Sequence, residues 1–451
     1  MNISVLGTGY VGLVSGLCLS TVGHNVICVD NDKSKVEKLN SGIPTIHEYG
    51  LLGLLKDNLG KNFFVTSDLN DAIAKSELTI VAVGTPFDGK KIDLKYIEQA
   101  SKDIAEILKT IGRYHVVVIK STVVPGTTTG IVKETIEKYS NLKAGQDFGL
   151  GMNPEFLREG VAINDFSNPD RIVVGGIDDK SISFISNIYQ KYTQDGVPLV
   201  ACNCQTAEMI KYTSNSFFAM LISYANEIDK VCNSLKEVNS IDVLNGLKLD
   251  KRIKDPSLSS LPEIAVYLKA GAGFGGSCFP KDVKALASFC SDHGISTPIL
   301  DSILETNKNR HKVIIDILSR YYSDLSNLKI GVLGLSFKAE TDDVRESKSI
   351  ELIKDIFGLV KRFNVFDPQA MNEAQKVLVE QKSKINFYED SEGVIKDSDV
   401  IILMTAWKDF INLPKYLAGR DNLVIDTRAM FNPDMFEKYE GIGYASPNKN
   451  H

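Results

Sequence analysis

The sequence predicts an α/β protein in which two domains with parallel sheets are joined by a long central helix. Three observations lead there. Short apolar runs alternate with helix-like segments at both ends of the chain, the pattern of a parallel sheet covered on both faces. A glycine-punctuated turn after the first strand returns in altered form near residue 331. Between these ends, the stretch from Thr206 to about Leu235 contains no Pro or Gly and is long enough to be one continuous helix.

Taken in order, residues 3–6 read as a strand, Gly7-Thr8-Gly9-Tyr10-Val11-Gly12 as a turn and residues 13–22 as an apolar helix. A second strand over residues 25–29 ends in Asp30. Further apolar runs follow at residues 78–83 and 116–119, with a helix-like segment over residues 94–108 between them. In the central stretch Ile210, Phe217, Leu221, Tyr224, Ile228, Val231 and Leu235 recur at helical spacing, so one amphipathic helix of about 45 Å is expected, with a face for a second subunit. A loop-rich segment with Asp255-Pro256 and Leu261-Pro262 precedes a glycine cluster at residues 271–276. From residue 328 the opening pattern returns: residues 329–338, with Gly331, Gly334 and Ser336, resemble the N-terminal strand and turn, residues 363–366 end in Asp367, and strands recur at residues 400–403 and 423–425. Ser336 and Ala339 stand where Gly9 and Gly12 stand in the first copy, so the second end is expected to bind something other than a dinucleotide. The expected division is a dinucleotide-binding Rossmann domain over residues 1–200, a helical linker and dimerisation domain over 201–310, and a second Rossmann-like domain over 311–451.

Bulk properties narrow the function. With 451 residues, 43% hydrophobic and 24% charged, the chain is an ordinary globular protein of roughly three domains. A net charge of −6 speaks against a nucleic-acid surface, which needs clustered cations. No apolar run is long enough to span a bilayer, and the first residues read as a strand without a basic leader, so no membrane partner and a cytoplasmic location are expected. The seven Cys are scattered without a C-x-x-C pair, which indicates neither a disulfide framework nor a zinc site. Cys202 and Cys204 flank one residue, but no His lies nearby, and no metal is expected.

The turn at residues 7–12 carries the first chemical signal. Gly7 permits the tight turn, Gly9 lets backbone approach a pyrophosphate, and Gly12 allows close helix–strand packing. Asp30 is placed to accept hydrogen bonds from a ribose and to repel the extra phosphate of NADP, so NAD is the expected cofactor. Lys35 either reaches the adenosine ribose or is a solvated helix lysine. In Gly273-Phe274-Gly275-Gly276-Ser277-Cys278-Phe279-Pro280-Lys281-Asp282 the glycines offer backbone amides, and Pro280 suits the first turn of a helix. That places Cys278 at a helix N-terminus, where the dipole and Lys281 favour a thiolate, with Asp282 one turn on; a buried Cys in a glycine-rich turn is the plainer alternative. Asn153-Pro154-Glu155-Phe156-Leu157-Arg158-Glu159-Gly160 reads as a capped helix start with carboxylates at i and i+4, either functional or a surface helix. Lys211 and Asn215 are i,i+4 neighbours beside the apolar stripe. Lys120-Ser121-Thr122 ends a strand at the sheet edge where α/β proteins bind ligands. Lys338, Arg345 and Arg428 would suit a nucleoside diphosphate or form structural ion pairs.

Together, the N-terminal turn and the segments 153–160, 211–215, 273–282 and 337–347 resemble the UDP-glucose/GDP-mannose dehydrogenase family over nearly the whole chain. The resemblance implies that a nucleotide-sugar primary alcohol is oxidised twice with two NAD to a carboxylate, UDP-glucose to UDP-glucuronate being the expected case. It implies that Cys278 adds to the aldehyde and carries a thiohemiacetal and then a thioester, and that Lys211 stabilises charge on the substrate oxygen. Asn215 and Asp282 would position oxygen or water, and Glu155 and Thr122 would manage water and proton transfer. By the same resemblance Val11, Asp30, Lys35, Thr122, Glu159, Lys281 and Arg345 contact NAD. The sugar nucleotide would meet Glu155, Phe156, Leu157, Arg158, Lys211, Asn215, Tyr267, Leu268, Lys269, Ala270, Gly271, Gly275, Lys338 and Arg428. Thr427 stands where the family often has Gly, which weakens the assignment of Arg428. A homodimer or higher homo-oligomer is expected.

Three alternatives stay open. The sugar could be GDP-mannose or a UDP-N-acetylhexosamine. A two-electron dehydrogenase of the 6-phosphogluconate or hydroxyacyl type would share the opening fold but would not need Cys278. A non-catalytic NAD sensor would lack any reason to hold Cys278, Lys211, Asn215, Asp282, Glu155 and Thr122 together.

Overall fold

The computed structural model describes residues 1–235, 237–253 and 261–445. The chain divides into two compact units, Met1–Ser214 and Asn215–His451. The expected loop at Asp255-Pro256 lies outside the described residues.

The first unit is built on strands β1 (Asn2–Leu6), β2 (Asn25–Val29), β3 (Phe63–Thr66), β4 (Leu78–Val81), β5 (Val116–Ile119), β6 (Gly149–Met152), β7 (Ile172–Gly176) and β8 (Leu199–Asn203). They lie in the order β3-β2-β1-β4-β5-β6-β7-β8. All neighbours are parallel except β6 and β7. Alternation along the strands divides their side chains between two cores: Leu78, Ile80, Val116 and Val118 face one, and Val81, Val117 and Ile119 the other. Each such fully buried side chain contributes about 1.5–3 kcal/mol of transfer free energy. The strand order reverses between β1 and β4, so the carboxyl ends of these two strands flank the crevice where α/β sheets bind ligands.

The second unit repeats this plan with β9 (Lys329–Leu333), β10 (Arg362–Phe366), β11 (Ile385–Phe387), β12 (Val400–Leu403), β13 (Leu423–Asp426) and β14 (Lys438–Gly441) in the order β11-β10-β9-β12-β13-β14, all parallel. Its turn differs from that of the first unit in one respect that matters. The first helix (Tyr10–Thr21) follows its glycine turn at once, whereas after Gly334 the next helix begins only at Lys348. Asp367, the counterpart of Asp30, is fully buried and accepts from Leu335 N, Ser336 N, Ser336 Oγ, Gln369 N, Ala370 N and Trp407 Nε1. A carboxylate so occupied has no capacity left for a ribose.

The long helix runs Cys204–Ser234, close to its expected limits. Its apolar stripe is not where amphipathicity alone would put it. Phe217, Tyr224 and Val231 are 42%, 48% and 53% exposed, while Ala219, Ala225, Asn226, Asp229 and Cys232 are buried. The face with the small residues packs inside the second unit, where Asn226 and Asp229 find hydrogen-bond partners; Ile228 packs at its edge, and Phe217, Tyr224 and Val231 are left on the surface.

Candidate active site

β1 delivers the chain into Gly7, whose φ of +102° and whose ideal Cβ, 2.7 Å from Ala82 O, both require glycine. Gly12 is required by packing: a Cβ there would sit 1.9 Å from Gly7 O. Gly9 is different. A Cβ at Gly9 would meet no protein atom within 4 Å, and the first helix has neither a side-chain cap nor an acid in its first turn. Open space over bare amides at the positive end of a helix fits a pyrophosphate, and Val11 stands half-buried in this same turn. Asp30 closes the turn by accepting from Thr8 N at 2.9 Å and Thr8 Oγ1 at 2.5 Å. Burial pushes its carboxyl up, but the bonds from Thr8 and Asp32 and the charge of Lys35 hold it below the usual range. Lys35 is half-buried in the short helix Lys33–Asn40.

Glu48 joins this turn to a distant segment. The Tyr10 hydroxyl donates to Glu48, and Gly160 N donates to Glu48 Oε2 at 2.8 Å. Glu159, half-buried, is thereby held beside the dinucleotide turn.

The segment around Glu155 is not the capped helix expected from Asn153-Pro154. Residues 153–158 are irregular, and the next helix is Ala162–Ser167. Asn153 instead continues the sheet: its N–H donates to Ile119 O and its Nδ2 to Val173 O. Glu155 therefore points its carboxylate not at Glu159 but at Lys211, with Nζ to Oε1 at 3.0 Å and both side chains nearly fully buried. Burial pushes Glu155 up, yet Lys211, the Leu157 N–H at 2.6 Å and Lys120 together bring it below the usual carboxylate range. Phe156 lies under the Arg171 guanidinium at 3.9 Å and 5.4 Å from Lys211 Nζ. Arg158 is exposed and engaged with Asp165 through N, Nε and Nη2. Thr122 is half-buried, and its carbonyl accepts from Thr85 Oγ1. The loop after it is held by the buried Glu208, which accepts from Gly126 N, Thr128 N and Thr128 Oγ1.

In the second unit Cys278 is the N-cap of the helix Phe279–Asp292, with Pro280 in its first turn. Asp282, 1% exposed, accepts from Asn215 Nδ2 at 2.6 Å through Oδ2. Lys281 Nζ lies 2.6 Å from Asp282 Oδ1 as an ion-pair contact without hydrogen-bond geometry, and Oδ1 has no hydrogen-bond donor among the described residues. The glycine cluster offers fewer amides to a ligand than its sequence implies. Gly271 N donates to Asn226 Oδ1, Phe274 N to Asn307 Oδ1 and Gly276 N to Arg345 O. Gly275 is glycine because a Cβ would meet Glu346 O at 2.3 Å.

The remaining expected substrate residues lie in this unit. Tyr267 stacks on Phe218 with centroids 4.5 Å apart; Leu268 and Ala270 are buried and Lys269 exposed. Lys338 Nζ stands 5.7 Å over the Phe337 ring. Arg345 is exposed and paired with Asp343 through Nε and Nη2. Arg428 Nε donates to Met404 O at 2.6 Å, and burial pushes its guanidinium down to about 10 against the pull of Asp426. The expected residues thus divide between the units: Thr122, the paired Glu155 and Lys211, and the dinucleotide turn belong to the first, and Cys278, the bonded Asn215 and Asp282, and the glycine cluster to the second.

Residues 1–193 match the NAD binding domain of the UDP-glucose/GDP-mannose dehydrogenase family, 205–309 its central domain and 331–433 its UDP binding domain. The chain belongs to this family. It is 38% identical over 453 residues to a UDP-glucose 6-dehydrogenase of Rickettsia bellii, covering 98% of each chain. To a UDP-glucose 6-dehydrogenase of Bacillus subtilis it is 36% identical over 98% of this chain and 92% of the relative. Among solved structures it resembles a UDP-glucose dehydrogenase from Pyrobaculum islandicum, with a TM-score of 0.87, 36% identity and 98% of each chain covered. A UDP-D-ManNAc dehydrogenase from Pyrococcus horikoshii aligns with a TM-score of 0.82 and 26% identity over 98% of this chain and 99% of that one. As a family member the chain is an NAD-dependent oxidoreductase of nucleotide sugars. Among the described residues no helix is long and apolar enough to cross a membrane.

Sequence reasoning passed over Glu48, Glu208 and Arg310. Arg310 donates from Nε to Gly271 O and pairs with Asp229, holding the glycine cluster in place. Asn226 and Asp229, two polar residues three apart in an apolar helix, were the available signal for it. Nothing local marks Glu48 or Glu208.

Proposed function

We propose that the chain oxidises UDP-glucose to UDP-glucuronate in two NAD-dependent steps through a covalent adduct on Cys278. The observation that carries this reading is a thiol at a helix N-cap, with Asp282 one turn further on, buried and anchored by Asn215. A two-electron oxidation has no use for such a thiol.

NAD, when bound, is the hydride acceptor in both oxidations. The residues that would hold it are Gly7, Gly9, Val11 and Gly12 at the pyrophosphate, Asp30 and Lys35 at the ribose, and Thr122, Glu159, Lys281 and Arg345. Lys211, a buried ammonium, stabilises negative charge on the C6 oxygen as the alcohol loses its proton, and loss of a hydride from C6 then leaves the aldehyde. The Cys278 sulfur then forms a bond to the aldehyde carbon, and the oxygen takes a proton to give the thiohemiacetal. Loss of a hydride and a proton from this adduct leaves a thioester. Water adds to the thioester carbon, the carbon–sulfur bond breaks and the thiolate leaves, giving the carboxylate. Asn215 and Asp282 position the oxygen and the water; Glu155 and Thr122 manage the water proton. Phe156, Leu157, Arg158, Tyr267, Leu268, Lys269, Ala270, Gly271, Gly275, Lys338 and Arg428 belong to the sugar-nucleotide site.

The division into residues 1–200, 201–310 and 311–451, a cytoplasmic location and a homodimer or higher homo-oligomer through the exposed face of the long helix are part of the same proposal. The test is stoichiometry. Two NADH per UDP-glucose and loss of acid formation in Cys278→Ser are expected; one NADH per sugar, or full turnover in that variant, overturns the covalent route. A clear preference for GDP-mannose or a UDP-N-acetylhexosamine overturns the choice of sugar.

A further inference from the structure

Lys120 is a buried cation that the reaction above does not use. It follows β5, is 3% exposed, and donates from Nζ to Asn153 Oδ1 at 2.8 Å. Asn153 Oδ1 also accepts from the Tyr189 hydroxyl at 2.5 Å, and Lys120 Nζ lies 3.4 Å from that hydroxyl. Asn153 is the residue that leads into Pro154 and Glu155, so Lys120 and Tyr189 grip the start of the irregular segment that presents the Glu155 carboxylate.

The charges form a cluster of two ammonium groups, Lys120 and Lys211, and one carboxylate, Glu155, all nearly fully buried. Among the described residues Lys120 makes no ion pair of its own, Glu155 being paired with Lys211. Burying a cation without a carboxylate of its own is costly, and a neutral side chain would grip Asn153 at lower cost. Glu155 and Lys211 are the charged groups that act on Lys120, and the Tyr189 phenol, pushed well up by burial, stays neutral beside it. Burial and Lys211 push Lys120 down to about 8, and its charge in turn helps to hold Glu155 ionised.

We propose that Lys120 is a positioning residue for the release of the acyl group: it clamps the Asn153-Glu155 segment and keeps the Glu155 carboxylate ionised for the water that attacks the thioester. The proposal rests on the reading that Cys278 carries a thioester and Glu155 manages the water. It makes the formation of the acyl-enzyme insensitive to Lys120 and its hydrolysis sensitive.

The experiment follows NADH formation by stopped flow in wild type, Lys120→Met and Lys120→Arg, with intact-protein mass spectrometry on quenched samples. In Lys120→Met the rapid first turnover of two NADH per site is retained. Steady-state turnover falls about tenfold or more, a mass increase corresponding to the acylated chain accumulates, and the acid limb of the turnover profile moves to higher pH. Lys120→Arg keeps the acid limb where it was. Equal loss of burst and steady state, no accumulated adduct, or an unmoved acid limb in Lys120→Met overturns the proposal. Asn153 Oδ1 keeps its bond from Tyr189 in the Met variant; should that variant still not fold, Lys120→Gln, a neutral donor, takes its place with the same expected outcomes. If wild type yields one NADH per sugar and never acquires the mass of an adduct, it is the covalent reading that fails.

Discussion

Asn215 Nδ2 donates to Asp282 Oδ2 at 2.6 Å, one helical turn beyond Cys278. This bond joins the long helix to the helix capped by the thiol, and both partners are buried. Hydrogen bonds to a buried charged group contribute about 1.5–3 kcal/mol. Replacing Asn215 by Ala strips the carboxylate of its directed donor, so Asn215→Ala should lower unfolding free energy by about that amount and reduce kcat. Urea denaturation and steady-state kinetics measure both; an unchanged midpoint would show the bond to be idle.

The Lys211–Glu155 pair is buried on both sides. Removing one partner of such a pair costs about 3–5 kcal/mol, because the other charge is left unpaired. Lys211→Met should be destabilised by this amount at pH 7, and Lys211→Met/Glu155→Gln should recover much of it. The sign of the pH dependence is set by Glu155. Its folded value lies below its ordinary one, so its contribution is present above the unfolded value and is lost as pH falls through the folded one. Denaturation of wild type and Glu155→Gln across the acid range should therefore converge as pH falls.

Gly9 and Gly12 make a paired test of the cofactor turn. A methyl at Gly12 collides with Gly7 O, whereas one at Gly9 meets no protein atom. Gly12→Ala should lower Tm and yield little folded protein. Gly9→Ala should melt like wild type and bind NAD at least tenfold more weakly, about 1.4 kcal/mol. Isothermal titration with NAD decides; unweakened binding in Gly9→Ala would remove the pyrophosphate from that position.

Tyr224 lies on the exposed apolar face of the long helix, in line with Phe217 and Val231. Tyr224→Glu places a charge on that face without touching the core, so the subunit should keep its far-UV circular dichroism and shift toward monomer in sedimentation velocity. A variant that sediments like wild type would place the subunit contact elsewhere.

Local chemistry was legible in the chain without its structure. Alternating apolar runs give the two sheets, because a strand buried on both faces must be apolar along its length. The turn at Gly7 and Gly9 with Asp30 beyond it, and Cys278 ahead of Pro280, are read within a few residues, since caps and turns are short-range. What only the tertiary structure decided has partners far apart in sequence. Asn153 belongs to the sheet and not to a helix cap, Lys120 meets it from the neighbouring strand, and Glu208 caps a loop some eighty residues earlier. Asp367 repeats the position of Asp30 but is saturated by Trp407 and its own loop, and Phe217, Tyr224 and Val231 of the long helix turn outward because Asn226 and Asp229 must be buried where Gly271 and Arg310 can satisfy them. A residue type states what a side chain can bond to, but only the sheet order determines which bonding partner is within reach, and the cost of burying an unsatisfied polar group then decides which way each element faces.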